Sequence, residues 1–247
     1  MFNLFSKSKK SSGGIDYQWI HTDIHSHLLP GIDDGSPSID VSLGLIRGMM
    51  ELGYKKLITT PHIIWDMYQN TPDIINGRLD ELRNAVKAEG LDITINAAAE
   101  YFLDEHIEKL LANKQPLLTL DGKMVLVEFS LAYPSHGIKE ILFEMQMQGY
   151  TPVIAHPERY VYLQTTRDFY DELKDIGCLF QLNLLALTNY YGKAVHELAL
   201  YLVKKGYYDL VGSDLHNARH LDALAHMPTS PTFQKLVDSG LIRNAQL

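Results

Sequence analysis

The stretch WIHTDIHSHLLPGIDDG, from Trp19 to Gly35, is dense in side chains that bind metal ions. Asp23, His25 and His27 alternate, and side chains on an extended strand repeat every second residue, so all three can face one way. His21 shares their parity but lies further back along the run, where packing near the interior of the fold is the simpler expectation. After Pro30 and Gly31 the chain turns and presents two more oxygen donors, Asp33 and Asp34. Imidazoles beside carboxylates suit Zn²⁺, Mn²⁺ or Fe²⁺. Taken alone, the stretch also reads as a surface histidine pair next to an acidic loop. The rest of the chain separates the two readings.

Apolar, β-branched runs alternate with amphipathic ones along that remainder. Strands are expected at 19–25, 55–60, 92–97, 124–129, 151–155, 178–183 and 208–211. Helices are expected at 38–52, 72–89, 103–111, 137–148, 166–176, 194–205 and 231–239, and 63–71 as a loop over a site. Repeated βα units with right-handed crossovers give parallel strands. Polar residues then replace apolar ones at a common phase. His25 and His27, His62, Glu100, Glu128, His156, and Asp214 with His216 all fall at or just past strand C-termini. Each has an ordinary explanation when taken singly, such as a helix cap at Asp214. A doubly wound sheet gathers ligands from only a few strands at one switch point, whereas a closed barrel brings all of these ends to one mouth. Gln181 and Asn183 stand out as polar exceptions within the sixth strand.

The 247 residues suffice for one α/β domain, and no linker-like segment interrupts them after Gly14. The expected division is a flexible leader over 1–16 and a single catalytic barrel domain over 17–247. Hydrophobic residues make up 46% and charged residues 21%, the balance of a globular protein. Asp and Glu number 30 against 22 Lys and Arg, a formal charge of -8, which argues against a general nucleic-acid binder. Cys178 is the only cysteine, so an intrachain disulfide is excluded and a reducing, cytoplasmic setting is expected. No run approaches the eighteen or so apolar residues of a membrane span. His106, His196 and His226 read as surface or packing groups, His136 as a helix cap, and His220, beside Arg219, as a packing group or, alternatively, a contact to a bound anion.

Nine residues form the candidate metal set: His25, His27, Asp34, His62, Glu100, Glu128, His156, Asp214 and His216. They exceed the four or so ligands of one Zn²⁺ and can hold two or three ions if a carboxylate bridges. Three divalent ions outweigh four carboxylates in charge, and a positive pocket in an acidic protein suits a phosphate ester.

These pieces, as DIHSHLLPGIDDG, TPH at 60–62, Glu100 in AAEYF, VEF at 127–129, HPERY at 156–160 and SDLHN at 213–217, carry a resemblance. The chain resembles the polymerase-and-histidinol-phosphatase (PHP) superfamily. Within it, the chain is similar to the bacterial protein-tyrosine phosphatases encoded with capsular or exopolysaccharide genes. The resemblance implies a distorted (β/α)7 TIM-like barrel and a site for three ions, with Mn²⁺ first and Zn²⁺ or Fe²⁺ as alternatives. One ion would take His25, His27, Glu100 and Asp214, a second Glu100, Glu128 and His156, a third Asp34, His62 and His216. Arg159 and Arg219 would contact phosphate, and His216 or a metal-bound water would give the leaving group a proton where one is required. The implied partner is a phosphotyrosine protein, the tail of a bacterial tyrosine kinase, which places the enzyme in the cytoplasm beside the membrane. Rival readings are a small-molecule phosphatase such as histidinol phosphatase, a carbon–nitrogen hydrolase, and a metal-dependent phosphotyrosine-binding regulator without turnover. Cys178, with no glycine-rich cradle around it, reads as core and not as a nucleophile.

Overall fold

The computed structural model describes residues 17–134 and 137–247. The expected leader and the capping role of His136 fall outside them. The described residues form nine short strands: β1 (Thr22–Asp23), β2 (Lys56–Thr59), β3 (His62–Ile63), β4 (Thr94–Ala97), β5 (Glu100–Phe102), β6 (Met124–Glu128), β7 (Thr151–Ala155), β8 (Leu179–Asn183) and β9 (Leu210–Gly212). All pairings between them are parallel, in the orders β1-β2-β4 and β3-β5-β6-β7-β8-β9.

The expected strand 55–60 is β2; pairing breaks at Thr60 and Pro61, because proline has no N–H to give the ladder, and resumes as β3, which takes the first residue of the expected loop at 63–71. β4 and β5 break beside it, and Ala98 N to Thr59 O and Glu100 N to Pro61 O carry the pairing across the gap. The strands therefore make seven staves. The seam closes at the top, where Asp214 N donates to His25 O at 2.8 Å and His27 N to Leu215 O at 2.9 Å. Lower down, β1 and β9 do not pair. There the buried Asn244 side chain donates to Thr22 O (2.8 Å) and Val211 O (2.7 Å) and accepts from Val211 N (2.9 Å), standing in for the missing ladder. This is the expected distorted (β/α)7 barrel.

Helices α1 (Ile39–Glu51), α2 (Pro72–Ala88), α3 (Glu105–Ala112), α4 (Ile138–Met147), α5 (Asp168–Asp175), α6 (Lys193–Lys205), α7 (Ala218–Ala225) and α8 (Pro231–Asp238) accompany the staves. Their starts follow the local chemistry. Ser38 accepts from Val41 N, and Thr71 from Ile74 N ahead of Pro72. Asn217 accepts from Arg219 N and His220 N and so starts α7, a helix absent from the sequence reading.

Two packing layers follow from strand alternation. Leu45, Ile46, Leu82, Leu142, Phe180 and Leu202 belong to the large cluster between staves and helices. Ile24, Ile58, Leu126, Val153, Ala155 and Leu210 form a smaller second cluster. Alternation continues that second series upward: Leu126 is followed two residues on by Glu128, and Leu210 by Gly212 and Asp214. An apolar floor therefore gives way to a polar mouth.

The first strand is shorter than expected. His21 has φ +62°, which ends the extended run, and its side chain is exposed, so its expected place near the interior is corrected. Asp23 also parts from its neighbours. It is buried and accepts from Ser213 N (2.8 Å) and Ser213 Oγ (2.9 Å), tying β1 to the stretch after β9.

Candidate metal centre

All nine candidate ligands meet at the mouth of the barrel. Glu100, buried at the start of β5, is the hub. Its Oε2 lies 3.2 Å from His25 Nε2, 3.6 Å from His27 Nε2 and 3.1 Å from His62 Nδ1. Its Oε1 lies 3.1 Å from His156 Nε2. Asp214 Oδ1 faces the first pair, 3.3 Å from His25 Nε2 and 3.5 Å from His27 Nε2. Glu128 approaches His62 Nδ1 at 2.9 Å and His156 Nε2 at 3.9 Å. At the rim, Asp34 Oδ1 is 3.5 Å from His62 Nε2 and 3.4 Å from His216 Nε2. His62 thus presents one nitrogen to the Glu100–Glu128 side and the other to Asp34.

The donor set fits divalent ions on an observation independent of spacing. Glu100 Oε2, Glu128 Oε1 and His62 Nδ1 are buried and crowd together at 2.9–3.1 Å about His62 Nδ1, yet none of them makes a well-oriented hydrogen bond. Leaving such groups unsatisfied costs about 1–3 kcal/mol each, and a shared cation removes that cost.

The backbone is shaped to bring these groups together. His156 (φ +34°) and Asp214 (φ +50°) both adopt the left-handed region, a strain of about 1–3 kcal/mol each for residues other than glycine. Surrounding bonds hold them there: His156 N donates to Gln181 Oε1 at 3.2 Å and Asp214 N to His25 O. Gly212 admits the close approach, since a Cβ there would lie 2.6 Å from His25 Cβ. Both Asp33 and Asp34 follow the turn, and only Asp34 was expected among the ligands; the fold gives Asp33 a task of its own. Asp34 points to the cluster, whereas buried Asp33 accepts from His27 Nδ1 (2.8 Å), Gly35 N (3.0 Å) and His62 N (3.2 Å). A carboxylate on the far nitrogen of a histidine fixes its tautomer and orientation.

Burial alone would drive the His25 imidazolium toward neutrality, but Glu100 and Asp214 outweigh it and hold its pKa up at about 10. His216, also opposed by burial, is held at about 9 by Asp214 and Asp34. Without metal, protons therefore supply the positive charge that the carboxylates demand. Between an unfolded value near 6.5 and these folded values, the native state binds more protons than the unfolded chain, so stability falls as pH rises. Metal binding displaces the same protons and strengthens over that window. Thermal melts of chelator-stripped protein are expected to drop in Tm from pH 6.5 to 9, while the gap to metal-saturated protein widens. A stripped protein that gained stability across this window would contradict the proton assignment.

A cavity of about 550 Å³ opens over the cluster, within the usual range for a small-ligand site. Arg159, Asn217, His220 and Tyr191 line it together with the exposed ends of the ligands, and Ile64, Met67, Tyr68, Phe102, Phe129 and Leu131 give it an apolar part. Arg159 follows β7 in a short 3-10 turn, Pro157–Arg159, and its Nη1 donates to Asp214 Oδ2 at 2.9 Å. Its guanidinium sits 5.0 Å from the centre of the Tyr191 ring. Arg219 is exposed on α7 and does not line the cavity; His220 is the basic residue of α7 that does. Trp65 stacks on His106 with ring centres 3.7 Å apart and is not part of the cavity wall. Cys178 is buried at the foot of β8, where desolvation pushes its thiol up to about 12, the opposite of what a nucleophile needs.

A parallel seven-stave barrel with five histidines and four carboxylates converging at its mouth defines a metal-dependent barrel enzyme. The chain belongs to the CpsB/CapC family of capsular polysaccharide synthesis, whose model matches residues 21–227. It is 29% identical over 197 residues to the tyrosine-protein phosphatase YwqE of Bacillus subtilis, covering 80% of this chain and 78% of that one. With the tyrosine-protein phosphatase CpsB of Streptococcus pneumoniae it shares 31% identity over 201 residues, 79% of this chain and 82% of the relative. A crystal structure from the work on YwqE and CpsB, described there as unique metal-dependent tyrosine phosphatases, matches with a TM-score of 0.76. Its sequence identity is 27%, over 90% of this chain and 94% of that one. The lactonase Lmo2620 of Listeria monocytogenes shares the fold, with a TM-score of 0.56 at 14% identity over 94% and 91% of the two chains. The expected resemblance to capsule-associated tyrosine phosphatases is thereby borne out.

Proposed function

We propose that this chain is a metal-dependent protein-tyrosine phosphatase that hydrolyses phosphotyrosine at the barrel mouth. The observation that carries the reading is the Glu100-centred cluster, whose buried oxygens converge without well-oriented hydrogen bonds, opening into a cavity that holds both Arg159 and an apolar wall. When bound there, divalent ions supply Lewis-acid charge stabilisation and a water acidic enough to act near neutral pH. We assign three ions to the ligand sets given above, with Mn²⁺ as the metal and Zn²⁺ or Fe²⁺ as alternatives. Glu100 is the residue placed to be shared between sets.

Arg159 keeps donors free beyond its bond to Asp214, and its planar fork suits phosphoryl oxygens. Tyr68, Phe102 and Phe129 offer an apolar wall to the tyrosyl ring. A phenol with an ordinary pKa of about 10 leaves with little protonation. Any proton it takes would come from a metal-bound water, since His216 Nε2 would hold an ion and its Nδ1 is bonded to Asp214 O. The substrate protein is the tyrosine-rich tail of a bacterial kinase controlling polysaccharide export, met in the cytoplasm beside the membrane. The family's capsular role supports that partner, and the buried free Cys178 accords with a reducing compartment. Among the described residues no helix is long and apolar enough to cross a membrane.

Initial rates with a phosphotyrosine peptide and with histidinol phosphate, in the same metal, test the substrate. A higher kcat/KM for the peptide is expected. A large preference for histidinol phosphate would make the chain a small-molecule phosphatase, and tight peptide binding without phosphate release would make it a regulator.

A further inference from the structure

Of the seven staves, β8 alone contributes no member of the ligand cluster. It nevertheless carries two fully buried amides, Gln181 and Asn183, in an otherwise apolar strand. Buried amides are costly unless their groups are bonded, and both bond to ligands of the cluster.

Backbone partners fix which way each amide points. Gln181 Oε1 accepts from His156 N at 3.2 Å and Gln181 Nε2 donates to Leu182 O at 2.7 Å. The oxygen therefore faces His25 Nδ1, at 2.8 Å. A carbonyl oxygen offers only lone pairs, so His25 carries its proton on Nδ1. The lone pair of the neutral ring is then on Nε2, the atom directed at Glu100 and Asp214. Asn183 repeats the device. Its Oδ1 accepts from Leu185 N at 3.1 Å, which leaves Nδ2 to donate to Asp214 Oδ2 at 2.9 Å and to Tyr191 OH at 3.1 Å. Arg159 takes the same Asp214 Oδ2, so Asp214 Oδ1 is left for His25 and His27.

We propose that Gln181 and Asn183 are positioning residues with separate tasks at this site. Gln181 selects the His25 tautomer that can bind metal. Asn183 divides Asp214, holding one oxygen toward the cluster and the other against Arg159, and thereby sets the arginine over the cavity. The inference rests on the metal-dependent phosphatase reading, but its test does not depend on phosphotyrosine turnover.

The full chain is stripped of metal, and Mn²⁺ binding is followed by calorimetry. Inorganic phosphate binding to the Mn²⁺-loaded protein is then measured the same way. Gln181→Leu is expected to weaken Mn²⁺ binding by about 10- to 100-fold, as loss of an outer-shell partner does. Gln181→Glu, which keeps an acceptor oxygen against Nδ1, is expected to recover most of that loss. Asn183→Ala is expected to leave Mn²⁺ stoichiometry unchanged and to weaken phosphate binding by about tenfold, the usual effect of losing a hydrogen bond to a charged group. Asn183→Ser is read in the same way should the alanine variant misfold. Wild-type Mn²⁺ affinity in folded Gln181→Leu, or equal losses in Gln181→Leu and Gln181→Glu, overturns the tautomer role. Unchanged phosphate binding in folded Asn183 variants overturns the other. If these shifts appear while phosphotyrosine is not turned over, the positioning roles stand and the substrate reading falls.

Discussion

Replacing Glu100 with glutamine is expected to lower both bound metal and phosphotyrosine turnover more than any other single change. Its two oxygens reach four imidazoles, His25, His27, His62 and His156, between 3.1 and 3.6 Å. Glutamine matches the carboxylate in shape but presents an NH₂ group where one oxygen stood, and that group cannot ligate a cation. The formal charge at the hub also disappears. Metal ions supply several kcal/mol of transition-state stabilisation in reactions of this kind, and about 4 kcal/mol corresponds to roughly 10³ in rate. A fall of at least that order in kcat, with metal content below wild type, is the expected result. Metal analysis of the desalted protein beside a phosphopeptide assay checks it. Normal metal content with normal turnover would remove Glu100 from the centre of the site. Folding is expected to survive, since the histidines can release the protons they hold against Glu100.

Arg159→Ala is expected to separate the two properties that Glu100→Gln loses together. The Arg159 side chain is ion-paired to the cluster through Asp214 Oδ2, and Asn183 continues to occupy that oxygen once the guanidinium is gone, while the backbone bond from Arg159 N to His156 O is kept in the alanine variant. Metal content should therefore stay at the wild-type level. Removal of a single preorganised donor to a transition-state oxyanion commonly costs about 10²–10³ in kcat, and a loss of that size is expected here. Lysine cannot reproduce the planar fork or the stack on Tyr191, so Arg159→Lys should recover little. Parallel loss of metal in Arg159→Ala would show that the residue acts through ligand geometry and not on the substrate. Arg219, exposed on α7 and away from the cavity wall, serves as the contrasting surface substitution.

Much of this site was legible in the sequence because barrel geometry converts a one-dimensional phase into a place. His62, Glu100, Glu128, His156 and Asp214 each interrupt an apolar run at its C-terminal end, and closure of the barrel does the rest. Parity along 21–27 places only His25 and His27 correctly. It needs an extended backbone throughout, and the left-handed turn at His21 together with the Asp23–Ser213 bonds divides that stretch into three different environments. Asp34 was expected to face the cluster and does, but the bond from His27 to Asp33 was not foreseen, since it depends on how the turn folds back over His27. Gln181 and Asn183 were visible as polar residues where a core strand should be apolar. The bonds they make required the positions of His25, His156 and Asp214, which come from three other parts of the chain. The sharing of Glu100 among four imidazoles is likewise a property of the closed barrel, where β3 and β5 set His62 and Glu100 side by side.

The most direct test of the central claim is a metal-reconstitution titration. Stripped protein receives Mn²⁺, Zn²⁺ or Fe²⁺ separately, and phosphotyrosine release is measured alongside the number of ions bound per chain. Activity should be absent in chelator, return with added metal, and reach its plateau only when more than one ion is bound. Full activity with a single ion, or turnover that persists in chelator, would contradict the shared cluster built on Glu100.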